Sequence, residues 1–328
     1  MNVAIIGCGV VGARRAAHIG RDRIVCCVDT DIERARRLAE KHASAATDDW
    51  RVALADPAVD CIVICTPPLH QAEVARAAIE SGRHVLIEKP AARCAEELRD
   101  LPALAANRGV VVRVGFNHRF HPALRQAKEL ADRGAIGTLL YVRARYGHGG
   151  RLGYEHEWRA DPRVAGGGEL LDQGVHLIDL ARWFFGEFPQ VDGFAHTYFW
   201  PMPVDDNGFM LLKTATNQVA YLHASCTEWK NTFSWELYGR DGKLQVDGLG
   251  GSYGTERLTW YKMSPQMGPP ETTVWEFPAA DDSWSVEWQE FLRDIEQGRR
   301  PAAGLEDAIA ALTIVGKIYA KSGYDHRA

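Results

Sequence analysis

Hydrophobic and polar positions fall into two patterns along this chain. Up to about residue 120, short apolar runs at 2–6, 24–28, 60–65, 84–88 and 110–115 alternate with segments of helical spacing at 13–19, 71–81 and 95–106. Uninterrupted apolar runs suit strands buried on both faces, and the alternation predicts a parallel sheet with helices on either side. Beyond residue 120, strand-like runs follow one another at 139–145, 208–212, 219–225, 234–239 and 243–247, with Arg240-Asp241-Gly242 as a hairpin turn. Helical spacing remains at 123–133, 169–185, 284–297 and 305–321. The expected fold is therefore α/β: a dinucleotide-type parallel sheet over residues 1–120, then an α+β domain over 121–328 with a large, mostly antiparallel sheet.

The join between the first two strands carries the first chemistry. Gly7-Cys8-Gly9-Val10-Val11-Gly12 opens a helix directly after the first strand, and the second strand ends at Asp29. Here Gly7 permits the tight turn, Gly9 lets backbone approach a pyrophosphate, and Gly12 lets helix and strand pack closely. The helix N-terminus then presents free N–H groups to the phosphates. Asp29 stands where a carboxylate accepts from the ribose hydroxyls of an adenosine, which favours NAD over NADP. Thr30 and Asp31 follow it, and Arg34 and Arg36, further on, would soften that preference.

A second informative stretch runs from Gly166 through Asp172 and His176 to Asp179. On one continuous helix these three polar residues share a face, and Gly174 in mid-helix points to something packed against the backbone. A polar stripe on an amphipathic helix would show the same spacing. A metal held by Asp172 and His176 would need a third ligand, and no residue has a clear claim. Lys89-Pro90 closes a parallel strand at its C-terminal end, where open α/β sheets bind ligands.

Length and composition narrow the class. The 328 residues suit two domains, and 46% hydrophobic with 25% charged residues is ordinary globular composition. A net charge of −5 without a basic block argues against nucleic acid. No apolar run is long enough to span a membrane. Six of the seven cysteines fall in the first hundred residues, several inside strand-like runs, which suits reduced thiols in a core. The first strand begins at residue 2, leaving no room for an export leader, so the expected location is the cytoplasm.

Taken together, Gly7 to Gly12, Thr66-Pro67-Pro68-Leu69-His70, Glu88-Lys89-Pro90, Gly115-Phe116-Asn117-His118-Arg119-Phe120, Trp158-Arg159 and the run from Gly166 to Asp179 closely resemble one family. This is the glucose–fructose oxidoreductase, inositol dehydrogenase and rhizopine-catabolism group of NAD(P)-dependent oxidoreductases, and the resemblance covers essentially the whole chain. It implies hydride transfer at a secondary hydroxyl of a sugar, cyclitol or nucleotide-linked sugar. By position, Lys89, Asp172 and His176 match the catalytic lysine, aspartate and histidine. His176 would be the base, Lys89 would hold the reacting oxygen, and Asp172 would orient substrate or the other two. Cofactor contacts are expected from Gly7, Gly9, Val10, Val11, Gly12, Asp29, Thr30, Thr66, Pro67, Pro68, His70, Glu88 and Lys89. Asn117, Arg119, Trp158 and Arg159 are candidate substrate contacts beside the catalytic three, and Arg151 and His156 are further wall candidates. Two other readings fit the same fold: a glycoside hydrolase or eliminase working by transient oxidation, and a non-catalytic dinucleotide-binding regulator. The intact Lys89, Asp172 and His176 argue against the regulator. The second sheet is expected to leave a face bare of helices, to be covered by another subunit in a dimer or tetramer.

Overall fold

The computed structural model describes residues 1–266 and 268–324 and divides into two compact units, Met1–Phe116 with Trp284–Leu312, and Asn117–Ser283 with the chain from Thr313 onward. In the first unit, β1 (Asn2–Ile6), β2 (Arg23–Val28), β3 (Ala45–Thr47), β4 (Cys61–Ile64), β5 (His84–Ile87) and β6 (Val112–Val114) form a parallel sheet in the order β3-β2-β1-β4-β5-β6. The order reverses beside β1, so the glycine turn leaves the sheet at the crevice where such folds bind dinucleotides. All four residues of β4 are buried, as the continuous apolar run requires.

A single cut near residue 121 misses the helix Ser283–Gln297, which belongs with the first unit except at its first residue. Its apolar face, through Trp288 and Phe291, completes the core beside β1 and β2. Its acids do the rest: Glu287 binds the buried Arg15 at 2.5 Å, and Asp294 pairs with the buried Arg113. The 95–106 helix also divides, into a short 3-10 turn Ala95–Leu98 and a helix Leu101–Arg108.

In the second unit, β7 (Leu139–Gly147), β8 (Gln190–His196), β9 (Asn207–Lys213), β10 (Val219–Ser225), β11 (Thr232–Gly239), β12 (Gly242–Asp247), β13 (Glu256–Lys262) and β14 (Glu271–Phe277) make one sheet. Their order is β14-β13-β12-β11-β7-β10-β9-β8, antiparallel throughout except for β7 with β10. The 169–185 segment is two helices, Glu169–Asp172 and Gly174–Phe185, interrupted at Gln173. Asp172 therefore ends one helix and His176 lies in the first turn of the next, and only His176 and Asp179 keep a common helix. A Cβ on Gly174 would touch Leu170, Met210 and Ala224 at 3.2–3.6 Å, so this glycine lets the break pack tightly.

Candidate functional site

In the first unit the three glycines of the turn have three distinct surroundings. Gly7 has a φ of +94°, and a Cβ there would lie 2.6 Å from the Cys65 carbonyl carbon. A Cβ on Gly12 would lie 1.9 Å from the Gly7 oxygen. Gly9 faces open space, with nothing within 4 Å of where its Cβ would be. Gly9 also caps the helix Val10–Ala17 without a side-chain hydrogen bond, and Val10 beside it is 82% exposed. Backbone N–H groups at an uncapped helix start, next to an open glycine and an uncovered apolar side chain, fit a pyrophosphate and its sugar.

Asp29 closes β2 next to this turn. Its carboxylate accepts from the Cys8 N–H at 2.8 Å and the Asp31 N–H at 2.9 Å, which fixes its direction. Thr30 is exposed. At the end of β4, the Thr66 hydroxyl is buried with no hydrogen-bond partner among the described residues, a group that a polar ligand atom would satisfy. Pro67 and Pro68 start the helix Pro68–Glu80, and His70 stands exposed in its first turn. At the end of β5, Lys89 is half-buried and joined to Pro90 by a cis bond. The Glu88 side chain is turned into the first unit. Its carboxylate takes the Arg15 Nε at 2.6 Å, while Arg15 also holds Glu287, whose pKa burial raises. Nothing local in the sequence marks this buried trio, whose members lie 73 and 272 residues apart.

In the second unit the glycine run has a packing cause. A Cβ on Gly167 would lie 2.2 Å from the Tyr319 hydroxyl, and one on Gly168 would lie 1.8 Å from the Asp205 carbonyl oxygen. Asp205 is fully buried and accepts from Gly168 N–H, Leu170 N–H and Tyr319 Oη at 2.6–2.9 Å, anchoring the start of the helix Glu169–Asp172. Asp206 likewise accepts from the N–H groups of Tyr198, Phe199 and Trp200. These anchors were not singled out from sequence, since a pair of aspartates before a strand carries no periodic signal.

His176 lies in the first turn of the helix Gly174–Phe185 and its ring stacks on that of His118, with centroids 3.8 Å apart and planes 15° from parallel. Asp172 is partly exposed and 3.8 Å from the Arg159 Nε, while the Arg159 guanidinium lies over the Trp158 ring at 4.5 Å. Asp172, Arg159 and Trp158 thus form one group. Arg151 is held by Glu157, and His156 is exposed beside Glu155. Arg119 and Asn117 are turned to structural partners: Arg119 makes a two-point pair with Asp179, and the Asn117 amide donates to Ser283 at 3.0 Å. Glu169, missed in the sequence, accepts from Tyr154 Oη at 3.1 Å and lies 3.4 Å from His148 Nε2. Burial lowers the His148 pKa, but Glu169 and Asp172 outweigh it and the net shift is upward.

A doubly wound sheet with an open glycine turn and an acid at the end of β2 is a dinucleotide-binding fold. Residues 1–116 match the oxidoreductase family with an NAD-binding Rossmann fold, and residues 124–245 match the GFO/IDH/MocA C-terminal domain. The chain belongs to this GFO/IDH/MocA family, and its first unit carries the family's NAD-binding Rossmann fold. Among curated relatives, levoglucosan dehydrogenase of Pseudarthrobacter phenanthrenivorans is 35% identical over 247 residues, 65% of this chain and 60% of that protein. The NAD(+)-dependent scyllo-inositol 2-dehydrogenase of Bacillus subtilis is 25% identical across 95% of this chain and 91% of its own. A solved levoglucosan dehydrogenase in complex with NADH and levoglucosan superposes with a TM-score of 0.87 at 25% identity, covering 98% of this chain and 97% of that one.

Proposed function

We propose that the protein is an NAD-dependent dehydrogenase or ketoreductase of a secondary hydroxyl on a cyclic sugar, cyclitol or nucleotide-linked sugar. The observation that carries this reading is the open glycine turn of an NAD-binding fold, in a chain whose relatives are named for cyclic polyols; Lys89, Asp172 and His176 are the residues proposed for the chemistry. Gly9 and the N–H groups after it would hold the pyrophosphate, Asp29 the adenosine ribose, and Thr66, Pro67 and His70 the nicotinamide side. NAD held there would supply the hydride acceptor for the carbinol carbon. His176 takes the hydroxyl proton, since a neutral imidazole is a competent base near neutral pH. Lys89 donates to the oxygen on which charge builds. Asp172, with Arg159 and Trp158 beside it, orients the neighbouring hydroxyls. Supplying NAD with levoglucosan, inositols, methyl glycosides and nucleotide sugars, and reading NADH absorbance, tests the proposal. Silence across the whole panel, in both directions of flux, would sink it.

The same reading includes a cytoplasmic homodimer or homotetramer. Seven free cysteines, five of them buried, support a reducing compartment. Among the described residues no helix is long and apolar enough to cross a membrane. Leu211 and Tyr221 are paired across β9 and β10 and about half exposed, and with Tyr141 on the adjoining β7 they form a small apolar patch that a second copy would cover. Light scattering checks this, and a monomer mass at micromolar concentration counts against it.

A further inference from the structure

The ring stacked on His176 is another histidine, and its own plane is fixed from three sides. His118 meets His121 at 77°, Tyr146 at 68° and Phe233 at 86°, with centroids 5.6, 4.9 and 6.0 Å away. Rings that meet edge-to-face in this way leave little freedom to rotate. His121 is locked in turn, because its Nδ1 lies 3.0 Å from Glu256 Oε2. The other oxygen of Glu256 accepts from the Ala123 N–H at 2.7 Å, tying this carboxylate to the start of the helix Pro122–Asp132. A chain of contacts therefore runs from a helix terminus through Glu256, His121 and His118 to the flat face of His176. His118 and His176 are each 4% exposed, so solvent does not compete for that contact.

We propose that His118 is a positioning residue for His176. Its flat stack sets the plane of the His176 ring, and so the direction in which the His176 nitrogens meet a substrate hydroxyl. The proposal rests on the reading of His176 as the base. A base that swings out of line by a fraction of an ångström loses rate without losing ligand affinity, because proton transfer depends on alignment in the transition state. The contact needs a flat ring and not a titratable one, so a phenyl group should replace the imidazole.

The test compares wild type, His118→Leu, His118→Phe and His176→Ala, using NAD with scyllo-inositol, levoglucosan and methyl β-D-glucoside as probes. A parallel measurement follows the His176 Hε1 resonance in the NAD-free proteins. His118→Leu should move that resonance and lower kcat about 10- to 100-fold, leaving KM for the polyol and Kd for NAD within about twofold. His118→Phe should restore most of kcat. A His118→Leu enzyme with wild-type kcat, or a His118→Phe enzyme as slow as His118→Leu, overturns the proposal. An unmoved Hε1 resonance in His118→Leu overturns the stack itself, even without turnover. If His176→Ala keeps its rate, the assignment of the base fails instead. Melting temperatures separate a slow enzyme from an unfolded one.

Discussion

Arg119 and Asp179 form a two-point ion pair, Nε to Oδ2 at 2.7 Å and Nη2 to Oδ1 at 2.6 Å, with both side chains buried. Planar guanidinium and carboxylate match in this geometry, and a lysine would not reproduce it. Removing one partner leaves a buried charge uncompensated, at a cost of about 3–5 kcal/mol. Asp179→Asn and Arg119→Leu should therefore unfold at clearly lower denaturant, with KM for the polyol unchanged in whatever folds. A raised KM at full stability would return Arg119 to the substrate.

The glycine turn separates a folding role from a binding role. Gly12→Ala puts a methyl group 1.9 Å from the Gly7 oxygen, and the helix must move. Gly9→Ala meets nothing in the protein, so its methyl group projects into the space a pyrophosphate would take. Gly9→Ala should melt with the wild type and bind NAD on the order of tenfold more weakly, about 1.4 kcal/mol. Gly12→Ala should lose both. Calorimetry with thermal melts decides, and normal NAD affinity in Gly9→Ala would remove the phosphates from this turn.

Most of this turn was legible in the sequence because each glycine answers a local clash, and β1 and β4 were legible because burial on both faces demands unbroken apolar runs. Strands at the edges left no such trace. In β14, exposed and half-buried positions alternate and the strand reads Glu-Thr-Thr-Val-Trp-Glu-Phe, while β3 is three small residues. The break at Gln173 was invisible because leucines and isoleucines continue across it. Arg119–Asp179 and Arg15–Glu287 escaped for another reason: pairs 60 and 272 residues apart produce no periodicity.

Asp29 should make the enzyme prefer NAD. Its carboxylate is held beside the turn by Cys8 and Asp31 N–H groups, where it would accept from a 2′-hydroxyl and repel a 2′-phosphate. The two arginines that would soften this are engaged on the surface, Arg34 with Asp31 and Arg36 with Glu33. The ratio of kcat/KM for the two cofactors should favour NAD, and Asp29→Ala should narrow it. A wild-type preference for NADP would mean that Asp29 serves only the loop.

Asp205 should give the fold a pH dependence opposite to that of most carboxylates. Burial pushes its pKa from 3.8 up to about 6, against the hydrogen bonds from Tyr319, Leu170 and Gly168. Between roughly pH 4 and 6 the folded protein then retains a proton that the unfolded chain has released, so stability falls as pH rises through that window. At 1.36 kcal/mol per pKa unit the loss is about 3 kcal/mol. Urea unfolding from pH 4 to 7 should show this decline in the wild type relative to Asp205→Asn. A constant difference between the two would contradict it.

Lys89 and His176 should be separable by what each removal does to the pH–rate profile. In the proposed roles Lys89 would donate to the reacting oxygen without giving up its proton, so Lys89→Met should lower kcat by about 10²–10³ and keep the profile's shape. His176 must be neutral to act as base, so wild-type alcohol oxidation should slow as pH falls through the imidazole range. His176→Ala should lose about 10²–10⁴ in kcat together with that acid limb. Its NAD affinity should stay normal, because the glycine turn and Asp29 belong to the other unit. Thermal melts of both variants separate lost chemistry from a lost fold. If the acid limb survives in His176→Ala and disappears in Lys89→Met, the two roles are exchanged and the lysine is the base.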